Sequence, residues 1–253
     1  MRHAYVVVAQ WPFELLSNEA KITSCFTGGT ENHMGIFIPR TTADEIKTHS
    51  KSELSDKSAC GNEHVAFDYM IDRRPYFQAY TNDEYYGPDA TVRLYKINGV
   101  DAADIHRACV EVARASPHNV FCYRCNALCW CWPYPCWCPD SQIVAPSTCV
   151  ALTMRIIARA KYDCEAAYTS DTATFTVLGM NRWSCCGHPW EPATLTGYSP
   201  HRGVRALIKA GVVDDKPVEG FKNAIRQCED DGQKVALRSV LPLLGLSASM
   251  SRA

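Results

Sequence analysis

The sequence predicts an α+β protein, on three observations. Short stretches rich in β-branched and aromatic residues crowd the first hundred positions. Two runs with helical spacing follow them, over residues 101–116 and 149–161. Three shorter helical stretches then close the chain. Strands gathered ahead of helices, without strict alternation, point to an α+β architecture.

Residues 4–9, Ala-Tyr-Val-Val-Val-Ala, form the first expected strand. Residues 14–25 are mixed and fit a short helix before the Phe26-Thr27-Gly28-Gly29 turn. His33–Ile38 reads as a strand that Pro39 stops. Residues 40–63 are rich in Ser, Thr, Lys and Glu, the composition of a solvated insertion. Strands are expected at His64–Ile71, Tyr76–Tyr80 and Thr91–Ile97, with Gly87-Pro88-Asp89 as punctuation before the last. Asp101 caps a helix in which Ile105, Ala108, Cys109 and Val112 repeat at helical spacing until Ser116-Pro117. Residues 121–140 carry Pro133, Pro135 and Pro139 and cannot hold regular structure for long. A second helix starts at Cys149 and ends near Lys161, with Leu152, Ile156 and Ile157 on its apolar side. Beyond it, 171–180 reads as a strand, and Val204–Ala210, Val218–Cys228 and Val235–Leu244 as short helices. The expected division is a main domain over 1–165 and a mainly helical appendage over 166–253.

Composition removes several classes of function. With 26 basic against 27 acidic residues the net charge is −1, which gives no electrostatic footprint for nucleic acid. No apolar run approaches the roughly 20 residues that cross a bilayer, so no transmembrane segment is expected. The opening apolar run lacks a cleavage-site pattern after it and reads as a strand, which predicts a non-secreted, intracellular protein.

Of the 14 cysteines, six fall between Cys122 and Cys138. Three readings stay open for that cluster. Cys122-x-x-Cys125 has the spacing of a zinc knuckle, but no familiar second pair follows. Disulfides need an oxidising setting, such as a virus particle that carries its own oxidation machinery. Free thiols interleaved with Trp130, Trp132 and Trp137 would make a surface for protein neighbours. The expectation is a loop held by tryptophan packing, with one or two disulfides, no catalytic metal and no cofactor. Cys109 and Cys164 read as small buried hydrophobes.

Cys149 differs from these. It follows Ser147 and Thr148, both helix-capping types, and opens an apolar helix. A thiol at a helix N-terminus, faced by an imidazole, has the setting of a cysteine nucleophile, because dipole and imidazolium both favour thiolate. His33 stands at the head of an apolar strand, after a glycine turn. A third polar group would hold the imidazole in its productive tautomer. Asp68 fills that place if His33 is the base. In the rival register His64 is the base and Gln78 the orienter.

The turn Phe26-Thr27-Gly28-Gly29 leading to His33-Met34-Gly35-Ile36, followed far downstream by Cys149 on its helix, resembles the circularly permuted branch of the papain-like superfamily, the NlpC-type thiol hydrolases and acyltransferases. The likeness covers roughly residues 15–162. It implies an antiparallel sheet packed on the cysteine-bearing helix, with Cys149 as nucleophile, His33 as base and Asp68 as orienter. It also implies an amide, peptide or other acyl substrate processed through an acyl-enzyme. The family has members in large DNA viruses, so the alternative is a non-catalytic structural or interaction protein of a virus particle on the same fold. The 40–63 insertion and the 121–140 loop depart from the family pattern.

Overall fold

A computed structural model of the chain describes residues 2–16, 18, 21, 29, 31–39, 64–68, 76–79, 85–114, 148–162, 171–180, 195 and 198–240. The 40–63 insertion and the cysteine-rich segment at 121–140 lie outside these residues.

The architecture is α+β, built on one antiparallel sheet. Its strands are β1 (Tyr5–Gln10), β2 (Glu31–Ile38), β3 (Val65–Asp68), β4 (Tyr76–Ala79), β5 (Thr91–Lys96) and the two-residue β6 (Val218–Glu219). They lie side by side in the order β4-β3-β2-β1-β5-β6, every neighbouring pair antiparallel. The central β1 shows why its sequence is continuously apolar. Val6 and Val8 join Met34, Ile36, Ile38 and Phe67 in one core, while Tyr5, Val7 and Ala9 join Phe37 and Leu94 in a second. Both faces are covered, so the usual apolar–polar alternation of an antiparallel strand is absent.

The first core is closed by α1 (Ala102–Arg114) and α2 (Cys149–Lys161). In α1, Ile105, Ala108, Cys109 and Val112 are all buried, as their spacing predicts. Three further helices follow: α3 (Asp171–Val177), α4 (Pro200–Lys209) and α5 (Phe221–Val240). Phe221 and Ala224 of α5 belong to the second core, on the opposite side of the sheet from α2.

The C-terminal part is thus integral to the body and not appended to it. β6 extends the sheet, with Leu94 opposite Val218, and α4 packs on β2 and α2. That approach requires Gly203. A Cβ there would stand 2.6 Å from Val150 Cγ1 and 3.4 Å from the terminal methyl carbons of Met154 and Met34.

Two expectations are corrected. Residues 171–177 form a helix where a strand was expected. The Thr-rich segment has strand propensity, but Thr174, Phe175 and Leu178 are buried at helical spacing, and packing overrides local preference. The helices expected at 218–228 and 235–244 are replaced by β6 and the single helix α5, which continues through Gly232. An interior glycine weakens a helix by about 1 kcal/mol without forbidding it. The short helix expected within 14–25 is seen at the described residues Asn18 and Lys21, which are helical, after a 3-10 turn at Phe13–Leu15.

Arg155 of α2 is 2% exposed, and its Nη2 donates to Asp171 Oδ1 at 2.7 Å. Asp171 Oδ2 accepts the backbone N–H of Leu195 at 3.0 Å, so one carboxylate ties α2, α3 and residue 195 together. Among the described residues no helix is long and apolar enough to cross a membrane.

Candidate active site

Cys149 occupies the first turn of α2 because the preceding residue stops the chain from being helical any earlier. Thr148 is extended (φ −134°, ψ 158°), and its Oγ1 accepts the Ala151 N–H at 3.0 Å. Its carbonyl accepts the Leu152 N–H, the first regular helical bond. The amides of Cys149 and Val150 therefore have no acceptor within the helix. Arg159 and Lys161 in the last turn complement the opposite end of the dipole.

His33 and Asp68 come from neighbouring strands. β2 and β3 pair so that Ile36 faces Phe67, which sets Gly35 level with Asp68. The Asp68 carboxylate leans over Gly35: a Cβ there would lie 2.6 Å from Oδ1, 3.2 Å from the Phe67 carbonyl oxygen and 3.4 Å from the Tyr86 hydroxyl. Glycine is the residue that leaves this room. From that position Asp68 Oδ1 meets His33 Nε2 at 2.9 Å. An ionised carboxylate only accepts, so Nε2 carries the proton and the remaining nitrogen, Nδ1, is left for the thiol. Cys149 is the imidazole's other hydrogen-bonding and charge partner.

Burial alone would push the His33 pKa down. The hydrogen bonds and charges of Asp68 and Cys149 outweigh it and raise the value from 6.5 to about 10. His33 is then an imidazolium across the neutral range. The consequence for stability has a definite sign. The contribution is complete below pH 6.5, declines as the unfolded histidine loses its proton, and is gone once pH rises through about 10. Denaturant unfolding from pH 6 to pH 10 should show this decline, and an Asp68→Asn variant should show a shallower one.

Asp68, at 1% exposure, has two more partners that sequence reasoning missed. The Tyr85 hydroxyl donates to Oδ2 at 2.6 Å and the Tyr86 hydroxyl to Oδ1 at 2.8 Å. The available signal was a tyrosine pair directly ahead of Gly87-Pro88, a turn that returns the chain toward the sheet.

The structure thus brings together Cys149, His33 and Asp68. His64 immediately precedes β3, with its ring 6.5 Å from that of Phe37. Gln78 is on β4, its backbone opposite Ala66. Cys109 is buried on α1, and burial pushes its thiol well above the ordinary range. Cys164 and the Cys122–Cys138 cluster lie outside the described residues. Among the described residues no group of three His, Cys, Asp or Glu side chains is placed to hold a metal ion.

No protein-family model, curated protein or solved structure matches the chain. The functional reading accordingly rests on the geometry and chemistry of the site.

Proposed function

We propose that the protein is a thiol hydrolase of the circularly permuted papain-like class, acting on an amide, peptide or related acyl bond. The observation that carries the reading is the ordered contact of Cys149, His33 and Asp68, drawn from a helix N-terminus and two adjacent strands. The Cys149 sulfur attacks as the thiolate, forming the S–C bond as the carbonyl π pair moves onto oxygen. His33 gives its Nδ1 proton to the leaving group as the scissile bond breaks. The neutral imidazole then takes a proton from water, whose oxygen attacks the thioester, releasing the acid and restoring the thiolate–imidazolium pair. The free amides of Cys149 and Val150 supply donors for the oxyanion of each tetrahedral intermediate. Asp68 holds the ring in the tautomer both steps need. No metal or cofactor enters this scheme.

The burial of the pair is also compatible with a second reading, a structural or interaction protein of a virus particle on the same fold. Cys149 is 5% and His33 7% exposed, an enclosure that suits a scaffold as well as a guarded site. Alkylation separates the two. Iodoacetamide at pH 6 is expected to modify Cys149 ahead of Cys109 and Cys228, with peptide mass mapping as the readout, because thiolate is the reacting form. Absence of label at Cys149 in folded protein favours the scaffold.

A further inference from the structure

The hydroxyl groups of Tyr85 and Tyr86 converge on a carboxylate that is almost fully enclosed. Two consecutive residues of an extended strand point to opposite faces, so this convergence depends on the turn in which the pair sits. Their rings are fixed from several sides. Tyr86 lies 5.3 Å from the His33 ring, 6.1 Å from Trp11 and 6.1 Å from Phe221, while Tyr85 lies 5.8 Å from Phe221. The Trp11 indole N–H donates to the Tyr86 carbonyl at 3.2 Å, which holds the backbone of the turn. Phe221 begins α5, so the C-terminal helix buttresses the tyrosines from behind.

Packing alone does not explain two hydroxyls. Phenylalanine would fill the same space without burying a polar atom, and a buried hydroxyl costs free energy unless it is bonded. Besides the His33 ring nitrogen, the two phenols are the carboxylate's side-chain partners among the described residues. Its strand neighbour across the sheet is Gly35, whose missing Cβ leaves only the room that the carboxylate already occupies, while a short aspartate side chain has other rotamers available to it. The phenol donors close that freedom, one on each carboxylate oxygen.

We infer that Tyr85 and Tyr86 are positioning residues, whose hydroxyls lock the Asp68 carboxylate in the rotamer that receives the His33 Nε2 proton and thereby aim the imidazole at Cys149. The inference rests on the proposed thiol chemistry of that site. The groups facing His33 are Asp68 from β3, Cys149 from α2 and, through the carboxylate, the two phenols. Without the phenols Asp68 is free to rotate off the ring. His33 then loses its strongest upward influence while its burial remains, and it titrates lower.

The test uses the full-length chain with Tyr85→Phe, Tyr86→Phe and the double variant, which keep both rings. Two readouts are followed against pH: the iodoacetamide rate at Cys149 and the NMR titration of the His33 ring. The double variant is expected to titrate His33 at least one pH unit below wild type, and to alkylate Cys149 more slowly because the imidazole is no longer aimed at the thiol. Each single variant should shift in the same direction by less, so the result stands even where the double variant fails to fold. A merely structural tyrosine would lower the melting temperature and leave the His33 titration where it was. That outcome in the folded single variants overturns the inference. A His33→Ala control keeps the two claims apart. If it leaves Cys149 alkylation unchanged, the thiol-hydrolase reading fails; if it slows alkylation while the tyrosine variants titrate like wild type, this inference alone fails.

Discussion

Cys149→Ala is expected to abolish protein-dependent hydrolysis of an activated ester such as p-nitrophenyl acetate, and His33→Ala to slow it by about 10²–10⁴-fold, the usual contribution of a general acid–base. The first loss is total because, among the described residues, no other nucleophile stands where the sulfur does: the helix N-terminus, first-turn amides without an intrahelical acceptor and the imidazole converge on that position. The second is partial because the thiol and the amides survive it. His33→Ala should reduce the rate without unfolding the protein, since the ring lies at the end of β2 and the apolar cores on both faces of the sheet do not include it. Circular dichroism of each variant checks that the fold is retained. Equal rates for wild type and Cys149→Ala would place the reactivity elsewhere in this cysteine-rich chain.

The largest effect on stability is expected away from the site. Asp171→Ala removes one partner of a guanidinium that is 2% exposed, and breaking one side of a buried ion pair typically costs about 3–5 kcal/mol. The same change also takes the acceptor from the Leu195 amide. Replacing Arg155 and Asp171 together with methionine and leucine should restore most of the loss, because a well-packed apolar pair can match a buried ion pair. Urea unfolding of the two variants distinguishes the cases. A cost below about 1 kcal/mol for Asp171→Ala would mean that Arg155 is held by its other contacts.

The contrast between these two regions shows what the sequence made legible. Period and composition placed β1, β2, β5, α1 and α2 close to their observed limits, because each buries a regular apolar set. The cap at Thr148 and the head-of-strand histidine at His33 marked two positions of the site for local reasons that need no knowledge of the rest of the chain. The choice between Asp68 and Gln78 was not local. It depended on the register of β2 against β3, which sets Gly35 beside Asp68 and opens space for the carboxylate. Tyr85 and Tyr86 were illegible for the same reason, since nothing in the Tyr-Tyr-Gly-Pro run says which carboxylate the turn will deliver them to. The helix at 171–177 was misread because its threonines favour extended backbone, while its buried face is created by α2 and by Tyr198, which is 4% exposed. The role of Phe221 and α5 escaped for want of any signal that a late helix would cover the second face of the first strand.

The central claim is that the sulfur of Cys149 carries the acyl group between substrate and water. Intact-mass and peptide mass spectrometry of the protein quenched in acid within seconds of mixing with p-nitrophenyl acetate tests it most directly. The account predicts one acetyl group per chain, mapped to Cys149, that decays as product acid forms and persists longer in His33→Ala because that variant lacks the base for deacylation. Acetylation that is absent at Cys149 in the folded protein, or that is spread equally over other residues and unaffected by the loss of His33, would contradict it.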